Sequence, residues 1–296
     1  MPSSTFAFTA ADGQQITTYR WDPPGQPRAV IQVTHGMGEH ALRYEKFAQA
    51  MNGHGLVVYA QDHRGHGATA GRGELGDLGE GGWPELVADI GLLSTGIRAR
   101  HPGLPLILLG HSMGSFAVQQ YLLDHSADAD AVILTGTAVI DLLEPALDLD
   151  QPLDLTMFSA AFQPARTDYD WLSRDEAVVD AYLADPRCGF GIDTRSAKAM
   201  FAGARRLADP GEVAAMRPDL PVYIAVGESD PVNGQLTLLT PLADRYRAAG
   251  LSDVTVRTYP QARHEILNEI NNAEVVAAIA SWVDRVLSSA SLSRPV

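Results

Sequence analysis

The chain has 296 residues, of which 46% are apolar and 20% charged, and its 36 acidic residues outnumber its 22 Lys and Arg. The net charge of −14 argues against nucleic acid, because phosphate binding needs clustered cations, and it disfavours a polybasic membrane anchor. With Cys188 as the single cysteine, no intramolecular disulfide can form. The sequence shows neither a signal peptide nor a long uninterrupted apolar run, which predicts a cytoplasmic protein without an integral membrane segment.

The predicted elements begin with a β-hairpin, turned at Asp12-Gly13, and continue as strands that alternate with helices. The predicted strands are Phe6–Thr9, Gln15–Trp21, Ala29–Thr34, Leu56–Ala60, Pro105–Leu109, Ala131–Thr135, Pro221–Val226 and Val254–Tyr259. The predicted helices are Tyr44–His54, Trp83–Arg100, Met113–Asp124, Leu242–Ala249 and Asn272–Leu287. Strands that are apolar throughout predict a mostly parallel eight-stranded sheet with helices on both faces and reactive residues directly after the strands.

The segment from residue 141 to residue 207 breaks this alternation, because helical patterns dominate it and no strand pattern is convincing. Ser173 and Glu176 have the spacing of a capping box, which predicts a helix to about Ala184, and a second helical stretch follows near Ser196–Leu207. We expect this insertion to form a helical cap over the strand ends. The chain would then comprise an α/β core, residues 1–140 and 208–296, and a cap, residues 141–207.

One motif contains a candidate nucleophile. Gly110-His111-Ser112-Met113-Gly114 matches G-x-S-x-G and lies between an apolar strand and a helix, as that motif requires. In α/β-hydrolases this sharp turn presents a serine hydroxyl at the sheet edge, and the glycines flanking it leave room for the turn. We therefore predict the α/β-hydrolase fold with Ser112 as nucleophile; the alternative is an ordinary glycine-rich turn.

A serine hydroxyl needs a base, and in this fold an acid and then a histidine follow the nucleophile along the chain. His264 lies late in the chain, just after the strand Val254–Tyr259, and is the predicted general base. Asp230, after the preceding strand, is the predicted acid that orients it. Asp141 is a rival acid because it also follows a strand, whereas Glu228 is interpreted as a loop charge.

Two backbone N–H groups are predicted to bind the oxyanion of the tetrahedral intermediate. Met113 follows the nucleophile, and Met37 lies in the loop His35–His40 after the strand Ala29–Thr34. The histidines in this loop and in Asp62–Gly67 could suggest a metal, but carboxylates or cysteines at metal-ligand spacing do not accompany them. We expect structural loops, no metal ion and no cofactor.

Apolar side chains in the predicted cap have two interpretations that the sequence leaves equal. Met157, Phe158, Phe162 and Trp171 could line a pocket for an acyl chain, or they could pack the cap onto the core. His111, beside the candidate nucleophile, is interpreted as a packing residue rather than a catalytic one.

Together these motifs resemble the monoacylglycerol lipase and lysophospholipase branch of the α/β-hydrolases. The matching pieces are His35-Gly36-Met37-Gly38-Glu39-His40, Arg43-Tyr44, Asp62-His63-Arg64-Gly65-His66-Gly67, Gly110-His111-Ser112-Met113-Gly114 and His264-Glu265-Ile266-Leu267-Asn268-Glu269. The similarity continues weakly into the cap at Leu172-Ser173-Arg174-Asp175, and Thr69 and Ser115 depart from the common pattern. The resemblance implies the same triad and the same oxyanion donors as the residues predict.

The expected activity is hydrolysis of single-chain lipid esters, such as monoacylglycerols or lysophospholipids, through an acyl-enzyme on Ser112. The partner would be a small ester with an apolar acyl chain, and transient contact between the cap and a lipid surface is compatible with this activity. Three alternatives stay open. They are an amidase, peptidase or acyltransferase with the same triad, an esterase for small non-lipid esters, and a non-catalytic binding protein.

Overall fold

The computed structural model describes residues 1–70 and 75–293. In these residues eight strands form a single sheet. The strands are β1 (Ser4–Thr9), β2 (Gln15–Trp21), β3 (Ala29–Thr34), β4 (Leu56–Gln61), β5 (Leu106–His111), β6 (Ala131–Thr135), β7 (Val222–Gly227) and β8 (Val254–Tyr259). Pro105 and Pro221 precede β5 and β7 rather than opening them, and every other strand lies close to its prediction.

The sheet order is β1-β2-β4-β3-β5-β6-β7-β8. β1 and β2 form the predicted hairpin, β2 pairs antiparallel with β4, and the remaining neighbours are parallel. Asp12 stabilises the hairpin turn, since its carboxylate accepts a hydrogen bond from Gln14 N at 3.1 Å. The predicted mostly parallel eight-stranded sheet is confirmed.

Helices cover both faces of the sheet, as the apolar strands predict. They are α1 (Glu45–Gly53), α2 (Gly82–Arg100), α3 (Met113–His125), α4 (Glu176–Ala184), α5 (Thr194–Arg206), α6 (Pro210–Val213), α7 (Thr240–Ala248) and α8 (Asn272–Ser293). Successive strand residues enter opposite cores: Val30 packs on the side of α2, α3 and α7, whereas Ile31 packs on the side of α1 and α8. This two-sided burial is why the central strands carry no polar alternation.

The loops that follow β3, β5, β7 and β8 contain or directly adjoin all of the predicted site residues. These four strands run parallel, so their carboxyl ends lie at the same edge of the sheet. In the sheet β3 lies between β4 and β5. The connection from β3 leads to β4 on one side, and the next connection leads back to β5 on the other side, so the strand order reverses beside β3. Ligands of open α/β sheets bind in the crevice at such a point.

The segment between β6 and β7, residues 136–221, is described throughout and contains helices and short turns but no strand. Its helix α4 begins at Glu176, and the N-cap is Asp175, whose carboxylate accepts a hydrogen bond from Ala177 N at 3.1 Å. The predicted capping box is wrong. Ser173 Oγ instead donates to Asn268 O and accepts from Asp175 N, both at 3.0 Å, so it bonds the N-cap residue rather than an N–H of the helix.

Helix α5 is tied firmly to the helices that flank the sheet. The Gln120 side chain on α3 donates to Met200 O on α5 at 2.9 Å and accepts from Trp83 Nε1 on α2 at 2.7 Å. The division into a core and a cap at residues 141–207 stays a prediction, as does the cytoplasmic location. No helix among the described residues combines the length and apolar character needed to cross a bilayer.

Candidate active site

Ser112 occupies a strained turn between β5 and α3. Its backbone has φ 50° and ψ −124°, and holding a non-glycine residue in such a rare conformation costs about 1–3 kcal/mol. The expected need for glycine on both sides is confirmed. A Cβ at Gly110 would lie 2.6 Å from Ser115 Cα, and a Cβ at Gly114 would lie 2.0 Å from Thr34 O.

His264 and Asp230 form a buried pair after β8 and β7. His264 Nδ1 lies 3.0 and 2.9 Å from the two Asp230 carboxylate oxygens, and Val232 N donates to Asp230 Oδ1 at 2.9 Å. Burial alone would lower the pKa of His264, but the charge and hydrogen bonds of Asp230, with the charges of Glu265 and Glu39, raise it above 6.5. Because Nδ1 faces the carboxylate, Nε2 is left for a second partner.

Ser112 and His264 line the same cavity. The ring of His111, next to the serine, has its centre 4.8 Å from that of His264. Within the described residues, no hydrogen bond joins the Ser112 hydroxyl to the His264 ring. Such catalytic hydrogen bonds are often long until a substrate binds. The structure therefore places the serine and the histidine of the Asp–His pair in the wall of one cavity, without a hydrogen bond between Ser112 and His264.

Met37 and Met113 also line this cavity. Met113 is the first residue of α3, where a backbone N–H has no partner within the helix. Met37 lies in the loop after β3, and in the described parts of the chain neither methionine N–H donates to a protein acceptor. At Gly36, beside Met37, a Cβ would lie 3.1 Å from Ser112 Cβ, so the loop approaches the serine closely.

Three buried histidines hold the loop after β3 against the loop after β4. His35 Nε2 accepts from His63 N at 3.0 Å, and His63 Nε2 donates to His35 O at 3.1 Å. His66 Nδ1 donates to Arg64 O at 2.7 Å, and its Nε2 accepts from Gly38 N at 3.4 Å. Burial lowers the pKa of all three, that of His63 to about 3 and that of His66 to about 4. Neutral rings with occupied nitrogens fit the predicted structural loop.

The two other carboxylates weighed for the triad have different partners. Asp141 binds the Arg245 guanidinium through two hydrogen bonds of 2.7 Å. Glu228 accepts a hydrogen bond from Thr258 Oγ1 at 2.8 Å. The geometry therefore favours Asp230 over Asp141 as the partner of His264.

Sequence reasoning missed a buried group of charged residues beside the site. Glu39 and Glu265 line the cavity, and Arg43 lies between them with hydrogen bonds to both. A signal was available, because Glu39 and Glu265 lie within two residues of predicted site residues in the motifs. What the sequence could not show is that residues 43 and 265 meet.

The cavity beside Ser112 has a volume of about 70 Å³, and its walls are mainly apolar. Its apolar wall includes Phe116, Ile140, Leu147, Leu155, Met200 and Phe201. Met157, Phe158 and Trp171 line it as well, as one interpretation of the sequence expects. Phe162 does not, because it packs beneath the Arg263 guanidinium, whose carbon lies 4.5 Å from the ring centre. Both interpretations of these side chains thus hold in part.

A second cluster of polar side chains lies outside the cavity. His40, Asp185 and Cys188 bring potential metal-ligand atoms within 4.8 Å of one another. The Asp185 carboxylate is already occupied, because His40 Nε2 lies 2.9 Å from it and Arg187 donates to it through Nε at 3.0 Å and Nη2 at 2.8 Å. Burial raises the pKa of the Cys188 thiol to about 12, which opposes thiolate formation. These contacts describe an ion-paired cluster rather than a metal centre.

The sheet order and the strained strand-to-helix turn define an α/β-hydrolase fold. The family described as "Serine aminopeptidase, S33" matches residues 25–271. The chain belongs to this family.

Similar proteins of known name agree with this assignment. The chain is 35% identical to a monoacylglycerol lipase of Mycolicibacterium smegmatis, with 95% of this chain and 96% of the relative covered. It is 29% identical to the monoglyceride lipase of Homo sapiens, over 96% and 92% of the two chains. A solved carboxyl esterase of Bacillus coagulans superposes with a TM-score of 0.86 at 26% identity, covering 97% of this chain and 99% of that one. These findings confirm the predicted fold, the resemblance and the expected class of carboxylic ester hydrolases.

Proposed function

We propose that this protein hydrolyses monoacylglycerols and related single-chain esters, with Ser112, Asp230 and His264 as its catalytic triad. One observation carries the proposal: a strained serine and a buried Asp–His pair reach the same, mainly apolar cavity. The lipase names of the relatives support the same chemistry.

The first half of the reaction follows from these positions. Ser112 Oγ attacks the ester carbonyl carbon and gives its proton to His264 Nε2. Asp230 keeps the Nδ1 proton in place and stabilises the imidazolium that forms. The carbonyl oxygen becomes an oxyanion, which the unpaired N–H groups of Met37 and Met113 would bind.

The tetrahedral intermediate then collapses, and the alcohol leaves with the proton of His264 while the acyl group stays on Ser112. In the second half, a water molecule gives a proton to His264 and attacks the acyl carbon. When the second tetrahedral intermediate collapses, the fatty acid is released and His264 returns the proton to Ser112 Oγ, which restores the hydroxyl. The apolar walls contributed by the segment between β6 and β7 would hold the acyl chain, which makes this segment the substrate-selecting cap of the proposal.

The charges of the cavity favour a neutral head group over a phosphate. Glu39 and Glu265 line it, no Lys or Arg of the described chain lines it, and Arg43 behind them neutralises only one of the two carboxylates. A phosphate beside this surface would meet net negative charge. We therefore infer that monoacylglycerols are better substrates than lysophospholipids.

An aminopeptidase activity, which the family description brings to mind, is less well supported. Recognition of a substrate α-amino group needs a free carboxylate in the cavity. Glu39 and Glu265 are already bonded to Arg43. The third carboxylate of the lining, Asp154, is exposed to solvent, where an ion pair with an ammonium group contributes little, and its Oδ1 already accepts from Thr156 N at 2.9 Å. Aminoacyl amides should therefore be poor substrates.

Two exposed apolar side chains of the proposed cap suit transient contact with lipid. Leu142 and Leu183 are 51% and 47% exposed, and neither is part of the cavity wall. We infer that these side chains touch lipid assemblies while the substrate enters. Co-sedimentation with monoacylglycerol-containing vesicles should be weaker for Leu142→Ser with Leu183→Ser than for the wild type. Equal binding by both would contradict the inference.

The proposal is tested by rates on matched substrates. Wild type, Ser112→Ala and a second serine variant, Ser94→Ala, are compared on monoacylglycerols, lysophospholipids and aminoacyl amides. We expect fast turnover of monoacylglycerols, retained by Ser94→Ala and lost by Ser112→Ala. Equal rates for wild type and Ser112→Ala would overturn the triad assignment, and a preference for amides would overturn the substrate class.

A further inference from the structure

We propose that Arg43 is a positioning residue that fixes the distance between the oxyanion loop, residues 35–40, and the histidine loop, residues 260–269. This inference rests on the proposed function, because it concerns the two loops that would bind the oxyanion and supply the general base. Arg43 itself lies behind the cavity wall and would not touch the substrate.

On one side the link runs through Glu39 to the oxyanion loop. Arg43 Nη1 donates to Glu39 Oε2 at 2.8 Å. The other oxygen, Glu39 Oε1, accepts from Gly36 N at 2.6 Å and from the Tyr44 hydroxyl at 2.8 Å. Since Gly36 directly precedes Met37, the glutamate fixes the backbone that presents the proposed oxyanion donor.

On the other side the link runs through Glu265 to the general base. Arg43 donates to both Glu265 oxygens, from Nη1 at 2.5 Å and from Nη2 at 2.7 Å. Glu265 directly follows His264, and its Oε2 also accepts from Asn268 Nδ2 at 3.0 Å. The Arg43 guanidinium therefore holds both loops. It reaches the general base through Glu265, the neighbour of His264, and the oxyanion donor through Glu39, which bonds the neighbour of Met37.

The chemistry of the link requires an arginine. Glu39 and Glu265 are only 3% and 4% exposed, and both carboxylates face the Arg43 guanidinium. Removing that cation would leave two buried negative charges together. A planar guanidinium can donate to two carboxylates in a fixed geometry, whereas a lysine ammonium is a point charge without the fork. Burial works against the Glu265 charge, but Arg43 outweighs it and lowers the pKa of Glu265.

The same link reaches the segment between β6 and β7. The Arg43 guanidinium carbon lies 4.8 Å from the centre of the Tyr182 ring on α4. Glu265 N donates to Leu172 O at 2.8 Å, so the histidine loop is bonded to this segment as well. Arg43 is thus placed where three parts of the cavity wall meet.

The experiment separates positioning from folding. We compare wild type, Arg43→Met, Arg43→Lys, Glu265→Gln and the double variant Arg43→Met with Glu265→Gln in ester hydrolysis and thermal unfolding. Arg245→Met is the matched control, because it breaks a two-bond pair with Asp141 that no proposed catalytic loop uses.

For Arg43→Met we expect kcat to fall about a hundredfold with little change in KM, because small displacements of catalytic groups are that costly. Its Tm should fall as well. The double variant relieves the carboxylate repulsion, so its Tm should recover while its kcat stays low. Arg43→Lys should have an intermediate kcat, and Arg245→Met should lower Tm with kcat near that of the wild type.

The pH profile gives a second readout. The titratable groups that act on His264 are Asp230, Glu265, Glu39 and His111. Around the two glutamates lie Arg43, Tyr44 and Tyr182. Removing the negative charge of Glu265 should shift the acidic limb of kcat/KM to lower pH, by about one unit or less.

The inference is overturned if kcat of the double variant returns to the wild-type value together with Tm, because Arg43 would then be a stabilising residue only. An acidic limb that stays in place in Glu265→Gln would contradict the close approach of Glu265 to His264 on which the link between Arg43 and the general base depends. A wild type that hydrolyses no ester would instead refute the proposed function, so the two failures are distinguishable.

Discussion

Two groups of buried histidines lie at the same edge of the sheet and have opposite properties. His35, His63 and His66 have no carboxylate partner in the described structure, and their ring nitrogens contact backbone groups. His264 is as deeply buried, but its Nδ1 faces the Asp230 carboxylate at 2.9 Å. Burial lowers the pKa of the first group and fails to lower that of His264.

This contrast shows that one buried anion decides whether a buried imidazole connects loops or can carry a proton. A neutral ring that bonds backbone groups can hold two loops together at any pH where the protein is folded. A ring paired with a carboxylate can gain a proton during a reaction and lose it again. Three kinds of experiment test this difference between the histidines: removing the Asp230 carboxylate, changing the pH, and removing the neighbouring charge of Glu228.

The largest effect is expected from removing the anion. Asp230→Asn should lower kcat by about 10⁴-fold, because the amide no longer fixes the imidazole tautomer or stabilises its cation. The matched control is Asp141→Asn, which changes the other candidate acid and should leave kcat nearly unchanged. Steady-state kinetics on a monoacylglycerol measure both. A large loss in Asp141→Asn with a small one in Asp230→Asn would reverse the assignment.

The acidity of His264 predicts the pH dependence of the reaction. Its pKa lies above 6.5, and the base must be neutral to accept the serine proton. The value of kcat/KM should therefore fall about tenfold per pH unit on the acidic side of a midpoint above pH 6.5. Circular dichroism at the same pH values should show a folded protein near pH 6. A midpoint near pH 4 would contradict the effect assigned to Asp230.

The three buried histidines without a carboxylate partner among the described residues, His35, His63 and His66, predict how the stability of the fold depends on pH. Their pKa values are lower in the folded chain than in the unfolded chain, so only the unfolded chain gains protons as the pH falls below about 6.5. The stability they contribute is complete above that pH and is lost towards pH 3 to 4. His63 alone should account for roughly 2 kcal/mol between pH 7 and pH 5.

Urea unfolding of wild type and His63→Gln at pH 7 and pH 5 measures this contribution. Glutamine does not titrate, so the variant should lose less stability between the two pH values than the wild type. An equal loss in both proteins would show that His63 is not the source.

The smallest effect is expected at Glu228, a carboxylate in the same loop as Asp230. Because Glu228 bonds Thr258 rather than His264, Glu228→Gln should change kcat by less than about threefold. The pH profile should also keep its shape. A shift of the acidic limb in this variant would mean that loop charge, and not the direct Asp230 contact, sets the pKa of His264.

Much of the fold could be predicted from the sequence because its signals are local. The apolar runs predicted the strands, and the Asp12-Gly13 turn predicted the hairpin. The strand-to-helix motif predicted the strained serine, since its glycines are required by contacts within a few residues of the turn and with the neighbouring strand. Chain order predicted the Asp230–His264 pair, which the structure brings together.

The features that could not be predicted depend on residues far apart in the sequence. The Ser173 hydroxyl donates to the distant Asn268 O, and Asp175 caps the helix, so a rule based on local spacing chose the wrong residue. Arg43 and Glu265 meet only because β3 and β8 end at the same edge of the sheet. Phe162 packs on Arg263 rather than in the cavity, and nothing in the local pattern distinguishes it from Phe158.

The most direct test of the central claim is the structure of the protein after reaction with a long-chain alkyl phosphonate. We predict a covalent bond to Ser112 Oγ, a phosphoryl oxygen within hydrogen-bond distance of Met37 N and Met113 N, and His264 Nε2 beside the leaving-group position. The alkyl chain should lie among the apolar residues of the cavity. A phosphonate bonded to another residue, or a phosphoryl oxygen turned away from both N–H groups, would contradict the account.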